Sequence, residues 1–181
     1  TRLAPRNPGA GSAANTAGPA KPLSVGGIAL RGTDAPNSTA NTTASATADI
    51  TAKGLTVSGI TATDKVYDAT TTATIDAGSA TLSGVLSGET VTLAAGSATG
   101  AFATKNVGTG KVVNVSGLSL SGADAGNYSL SQPTTTASIT KAGLTVTADD
   151  KTRAAGAANP TLTASYAGFA GGETLATSGV T

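Results

Sequence analysis

GADAGNYSLSQPTTTASITKAGLTV, Gly122 to Val146, decides how this chain is read. It opens on a turn, runs through a short strand and a Thr-rich connection, and ends on a strand that starts another unit. A worn copy of it lies earlier. Sliding the sequence on itself by about 90 residues places Lys21 on Lys111, Val25 on Val115, Gly32 on Gly122, Asp34 on Asp124 and Asn37 on Asn127. With one residue dropped, ADITAKGLTV (Ala48 to Val57) falls on ASITKAGLTV (Ala137 to Val146). A period of that size indicates small domains in series.

Working outward, residues 1–53 hold Pro5, Pro8, Pro19, Pro22 and Pro36 and have the composition of a linker. The offset argues otherwise, because Leu23, Val25, Ile28 and Leu30 fall on Val113, Val115, Leu118 and Leu120. This segment is expected to be the C-terminal part of a diverged preceding repeat. Residues 54–142 make one complete unit, with period-two segments LTVSGIT, ATI, ATLSGV, TVTLAA, TGAFA, KVVNVSGLSL, YSLS and TASIT separated by Gly, Asp, Asn and Ser. The expected fold is all-β: tandem Ig-like antiparallel β-sandwich repeats of about 90 residues with Greek-key connections. Residues 143–181 read as the N-terminal part of a following repeat, since GFAGGETL (Gly168 to Leu175) lies on GVLSGETV (Gly84 to Val91). The two partial units together are about one repeat long. Neighbouring chains are therefore expected to complete each other's half-domains head to tail by strand addition.

Composition narrows function. The net charge is +1, with 12% charged and 3% aromatic residues. That balance lacks the basic footprint of a nucleic-acid binder and gives no attraction to anionic lipid. No apolar run approaches the roughly 18 residues of a membrane helix, so no membrane insertion is expected. With no Met, the chain reads as a processed or excised piece. It contains no Cys and no His, which removes disulfides, Ser–His and Cys nucleophile systems and His-ligated metal centres. The expectation is a protein without catalytic residues, and no cofactor is called for.

DKVYDATTTATI (Asp64 to Ile75), FATKNVGTGKVVNVSGLSLSGADAGNYSL (Phe102 to Leu130) and the closing TTTASITK resemble the YDG repeat of large bacterial adhesins of the filamentous-haemagglutinin type. Ala69 stands where that family usually has Gly. LTVTADDKTR, AANPTL and GFAGGETL resemble the start of a mostly-β, glycine-rich (MBG-type) module, with Ala155 where Tyr is common. The resemblance implies a secreted, surface-displayed stalk or fibre segment of a type V secretion system, without catalytic activity. Its implied partners are neighbouring copies of the repeat or subunit.

Several residues carry sharper readings. Asp124, Gly126 and Tyr128 have the spacing of a tyrosine corner, a structural device that ties a late sandwich strand to the loop before it. Ser38 stands at the corresponding place in the first copy, which should lack the corner. Tyr67 and Asp68 read as a core tyrosine and a turn cap, with carbohydrate recognition as the alternative. A glycan- or host-protein-binding module would use these or the loops Ala77 to Ser79 and Ala95 to Ala98. Asp64, Asp68, Asp76, Asp124, Asp149 and Asp150 raise the question of calcium, with the Asp149-Asp150 pair the best placed, but EF-hand and nonapeptide spacing are absent. Lys105-Asn106 raises the question of an isopeptide cross-link and has no obvious acidic neighbour in sequence. Asn37, Asn41, Asn114 and Asn127 lie in sequons that a Ser/Thr-rich chain contains by chance.

Overall fold

The structure, a computed structural model, describes residues 10–12, 15–26, 30, 32–39 and 43–179. Ile28 and Asn41 lie outside the described residues. Strands dominate, as short β-branched runs punctuated by turn residues dictate. No described helix is long and apolar enough to cross a membrane.

The first segment forms an antiparallel sheet in the order β1 (Ala10–Ser12), β2 (Gly18–Gly26), β3 (Thr43–Ile50). The middle of the chain supplies β4 (Lys53–Ser58), β5 (Thr61–Ala62), β6 (Lys65–Val66), β7 (Thr72–Ala73), β8 (Ile75–Asp76) and β9 (Thr81–Ser83). It continues through β10 (Thr92–Ala94), β11 (Thr99–Phe102), β12 (Gly108–Ser116), β13 (Ser119–Ser121), β14 (Tyr128–Leu130) and β15 (Thr134–Thr140). The last segment holds a hairpin of β16 (Thr145–Ala148) and β17 (Ala164–Ala167), then the single helical turn α1 (Leu175–Ser178).

Strand pairing reproduces the sequence offset. Lys21 faces Ala48 and Leu23 faces Ala46, as Lys111 faces Ala137 and Val113 faces Thr135. Ala10 faces Val25 as Gly100 faces Val115. The register shifts at Gly18/Lys21 and again at Gly108/Lys111. Inside these two bulges Ala20 and Gly110 both have positive φ, 50° and 56°, the left-handed residue that such a bulge requires. The 3-10 turns Ala35–Asn37 and Ala125–Asn127 are preceded by Asp34 and Asp124 with nearly identical backbone angles (φ −95°, ψ 3° and φ −100°, ψ 3°).

Contacts group the chain into two compact units, one of Thr1–Thr56, Ser83–Leu93 and Leu120–Ser131, the other of Val57–Leu82, Ala94–Ser119 and Gln132–Thr181. The second contains a five-stranded sheet in the order β6-β15-β12-β11-β7. Its core is Ala73, Phe102, Val113, Ala137 and Ile139, all buried, with Ala62, Tyr67 and Ile75 packed against them. Burial alternates along β11 and the second half of β12, so one face of the pleat is packed. In the first unit Leu55 and Tyr128 are buried where β4 and β14 run side by side.

The fully antiparallel expectation needs correction. β14 pairs parallel with β4, and β15 pairs parallel with β6. In both cases a late strand of the repeat returns beside an early one in the same direction. The intervening chain far exceeds the dozen residues that a parallel crossover needs. The long segments LTVSGIT and KVVNVSGLSL are also broken, at Gly59 and Gly117 (φ 81° and 80°). A Cβ at either would lie 2.2 Å from a carbonyl oxygen, of Ser79 and Ser97 respectively, so only glycine lets these turns close.

Candidate functional site

The Tyr-Asp loop between β6 and β7 is organised by Lys65. Its ammonium donates to Asp68 Oδ1 (2.7 Å), to the Thr70 carbonyl and hydroxyl, and to the Thr72 carbonyl. It also lies 5.7 Å from the centre of the Phe102 ring. Asp68 Oδ1 further accepts from the Thr70 N–H and hydroxyl, closing an Asx turn. The Lys65 ammonium and then the Thr70 donors hold the Asp68 carboxyl down at about 2. Ala69, which follows, sits at φ 64°. This left-handed conformation is the physical reason for glycine at that place.

Tyr67 points away from Asp68. Its N–H donates to the Thr140 carbonyl, its ring packs on the core, and its hydroxyl donates to Glu173 Oε1 at 2.7 Å. Lys105 Nζ reaches the same oxygen at 2.7 Å and stands 5.8 Å from the Tyr67 ring centre. The Lys105 contact first, then that of Tyr67, lowers the Glu173 pKa, and Glu173 raises that of Lys105, so the pair is ionised at neutral pH. A cleft of about 330 Å³ opens beside this pair, lined among others by Asn106, Val107, Lys141, Leu144 and Phe169.

Glu173 lies in the second Gly-Glu-Thr turn, and the first behaves alike. The Glu89 N–H donates to the Leu86 carbonyl as the Glu173 N–H donates to that of Ala170. Glu89 Oε2 accepts from the Tyr128 hydroxyl (2.5 Å), which itself accepts from the Leu86 N–H (3.0 Å). Asp124 accepts from the Thr90 N–H on the far side of the same turn. Glu89, followed by burial, raises the Tyr128 pKa. Asp124 and Tyr128 thus clamp the turn Leu86–Thr90 from both sides, while the Gly126 backbone lies within the 3-10 turn between them. Ser38 keeps the extended backbone of Tyr128 in the first copy but offers no phenol to form such a clamp.

Residues 51–138 match the YDG domain family, and residues 144–181 match the MBG domain (YGX type). The chain carries a YDG domain followed by an MBG domain. Together these mark a cell-surface adhesin-like module. No curated protein and no solved structure matches the chain.

In the YDG domain acidic side chains accept hydrogen bonds within turns and ladders. Asp64 accepts from the Ser138 N–H and Asp76 from the Gly78 N–H. In the MBG domain Asp149 accepts from the Thr163 and Ser165 hydroxyls, which lowers its pKa. Among the described residues no three of His, Cys, Asp and Glu come together, Asp150 included. Asn127 Oδ1 accepts from the Ala17 N–H, and Asn37 and Asn114 are exposed. Lys105 does have an acidic neighbour, Glu173, which sequence reading missed because 68 residues separate them. That neighbour keeps the amine protonated, the opposite of what attack on Asn106 would require. The hub at Lys65 was also missed. The repeated Gly-Glu-Thr was the one signal in the sequence that pointed to the Tyr67–Glu173 contact.

Proposed function

We propose that the YDG–MBG chain is a non-catalytic stalk segment of a secreted bacterial surface adhesin, exported by a type V route, in which small β-units stack in series. The observation that carries this reading is the repeated register: β2 and β3 pair as β12 and β15 do, bulge included. A unit of about 90 residues buries only about 60 to 65% of its unfolded surface, so contacts with neighbours supply part of its stability. Rods of this kind hold a binding tip away from the cell. Electron microscopy of the parent protein, with YDG units deleted one at a time, is expected to show a fibre that shortens by a constant step. Unchanged length would refute the role. Saturable binding of the chain to a glycan array, lost in Tyr67→Ala with folding intact, would favour a recognition module instead.

Strand addition between copies is supported by two exposed faces. β16 has β17 on one edge only among the described residues, whereas the corresponding β4 also carries β14. Val146 is 57% exposed, and Leu23 and Val25 are half-buried where Val113 and Val115 are buried. Transferring the β4–β14 register, in which Tyr128 faces Lys53, sets Ser38 of one copy opposite Ala142 of the next. Since the chain has no Cys, mixing Ser38→Cys with Ala142→Cys gives a clean readout. A disulfide-linked heterodimer is expected; its absence in concentrated mixtures would exclude the pairing.

A further inference from the structure

The cleft at the YDG–MBG junction has a counterpart. A second, smaller cleft of about 130 Å³ is lined by Asn15, Ala17, Thr51, Lys53, Leu86 and Glu89, with Asn127 and Tyr128. Ala17 corresponds to Val107 at an offset of 90, Lys53 to Ala142 at 89, and Leu86 and Glu89 to Ala170 and Glu173 at 84. All four of the latter line the first cleft. Asn15, moreover, holds the place of Lys105. In each case the base of a preceding repeat meets the Gly-Glu-Thr turn of the next.

We propose that these are the same joint: the base of each unit is a socket for the glutamate of its successor's Gly-Glu-Thr turn, held by the tyrosine of the Tyr-Asp loop and a neighbouring cation. The partner that fits is an acidic β-turn of another repeat. Tyr67 of the preceding unit takes Oε1 of Glu173, whereas Tyr128 of the same unit takes Oε2 of Glu89. A carboxylate offers about four lone-pair sites, so one glutamate can accept from a tyrosine of each neighbour at once. The joint then senses whether both units are folded, which makes adjacent units cooperative. The Asn15 joint has no cation at the place of Lys105, its Lys53 ammonium donating to the Gly84 carbonyl, and is the weaker of the two.

This inference rests on the tandem-array reading but is tested separately, because hydrogen exchange on the intact chain reads the joint and not the length of a fibre. Tyr67→Phe, which keeps the ring, and Lys105→Gln, at a half-exposed position, are each expected to speed exchange of the amides in residues 164–178 about tenfold. Combining either with Glu173→Gln should add less than the product of the single effects. Unchanged exchange in both single variants would overturn the socket. The converse substitution, Asn15→Lys, should slow exchange across residues 86–90 about threefold, and Glu89→Gln should abolish that gain. A gain that survives Glu89→Gln, or no gain at all, would overturn the equivalence of the two joints.

Discussion

Alanine at Gly117 tests whether the break between β12 and β13 is held by conformation alone or also by close approach. The residue has φ 80°, and an added Cβ would sit 2.2 Å from Ser97 O, 3.0 Å from the carbonyl carbon and 3.5 Å from Ala98 Cα. The left-handed conformation costs a non-glycine residue about 1 to 2 kcal/mol. Restricting the unfolded chain returns about 0.4 to 1 kcal/mol. The methyl must also displace the turn that the Ala98 N–H closes onto the Ala95 carbonyl, adding about 1 to 3 kcal/mol. Gly117→Ala is therefore expected to cost about 3 kcal/mol. Two controls in the same compact unit isolate the contributions. Gly110 shares the positive φ but meets nothing within 4 Å, and Ala20 occupies its place in the first copy, so Gly110→Ala should cost about 1 kcal/mol at most. Gly96 has neither constraint, and Gly96→Ala should be neutral or stabilising by about 0.5 kcal/mol. Urea denaturation with an unchanged m-value reads all three. A Gly117→Ala cost no larger than that of Gly110→Ala would refute the close-approach argument, and Gly59→Ala must behave as Gly117→Ala does.

Four further outcomes follow from the same geometry. Ala69→Gly relieves a left-handed alanine and should stabilise the YDG domain by about 0.5 to 1 kcal/mol after the entropy of the unfolded chain is deducted, read as a shift in denaturation midpoint. Val113→Ala empties a fully buried site between β11 and β15 and should cost about 2 to 3 kcal/mol in the same assay. Two titrations have opposite signs. Asp68 is depressed from 3.8 to about 2, so its contribution is present above the unfolded value and disappears as pH falls from about 4 to about 2; Asp68→Asn should flatten that acid slope. Tyr128 is raised, so its contribution is complete below the free tyrosine value of about 10 and is lost as pH climbs beyond it; Tyr128→Phe should remove that alkaline loss and lower stability at neutral pH.

Much of the YDG domain is legible in its residues because strand alternation and turn chemistry are local. The apolar positions of β11 and β12, the Asn and Gly turns, and the pairing register that β2 and β3 share with β12 and β15 all follow from spacing. Asp68 as a turn cap is equally local, since its donors lie two and three residues away. Tyr67 and Asp68, adjacent in sequence, nevertheless do separate jobs, because successive side chains of extended chain face opposite ways.

Period and residue type alone determined that the chain is β-rich and holds neither cysteine nor histidine, for these depend on order along the chain. Tertiary structure decided which late strand lies parallel to which early one, and that each Gly-Glu-Thr turn gives its glutamate to a tyrosine. Those pairings join residues 39 and 106 positions apart. Their formation depends on which faces are buried together, and no local propensity encodes that.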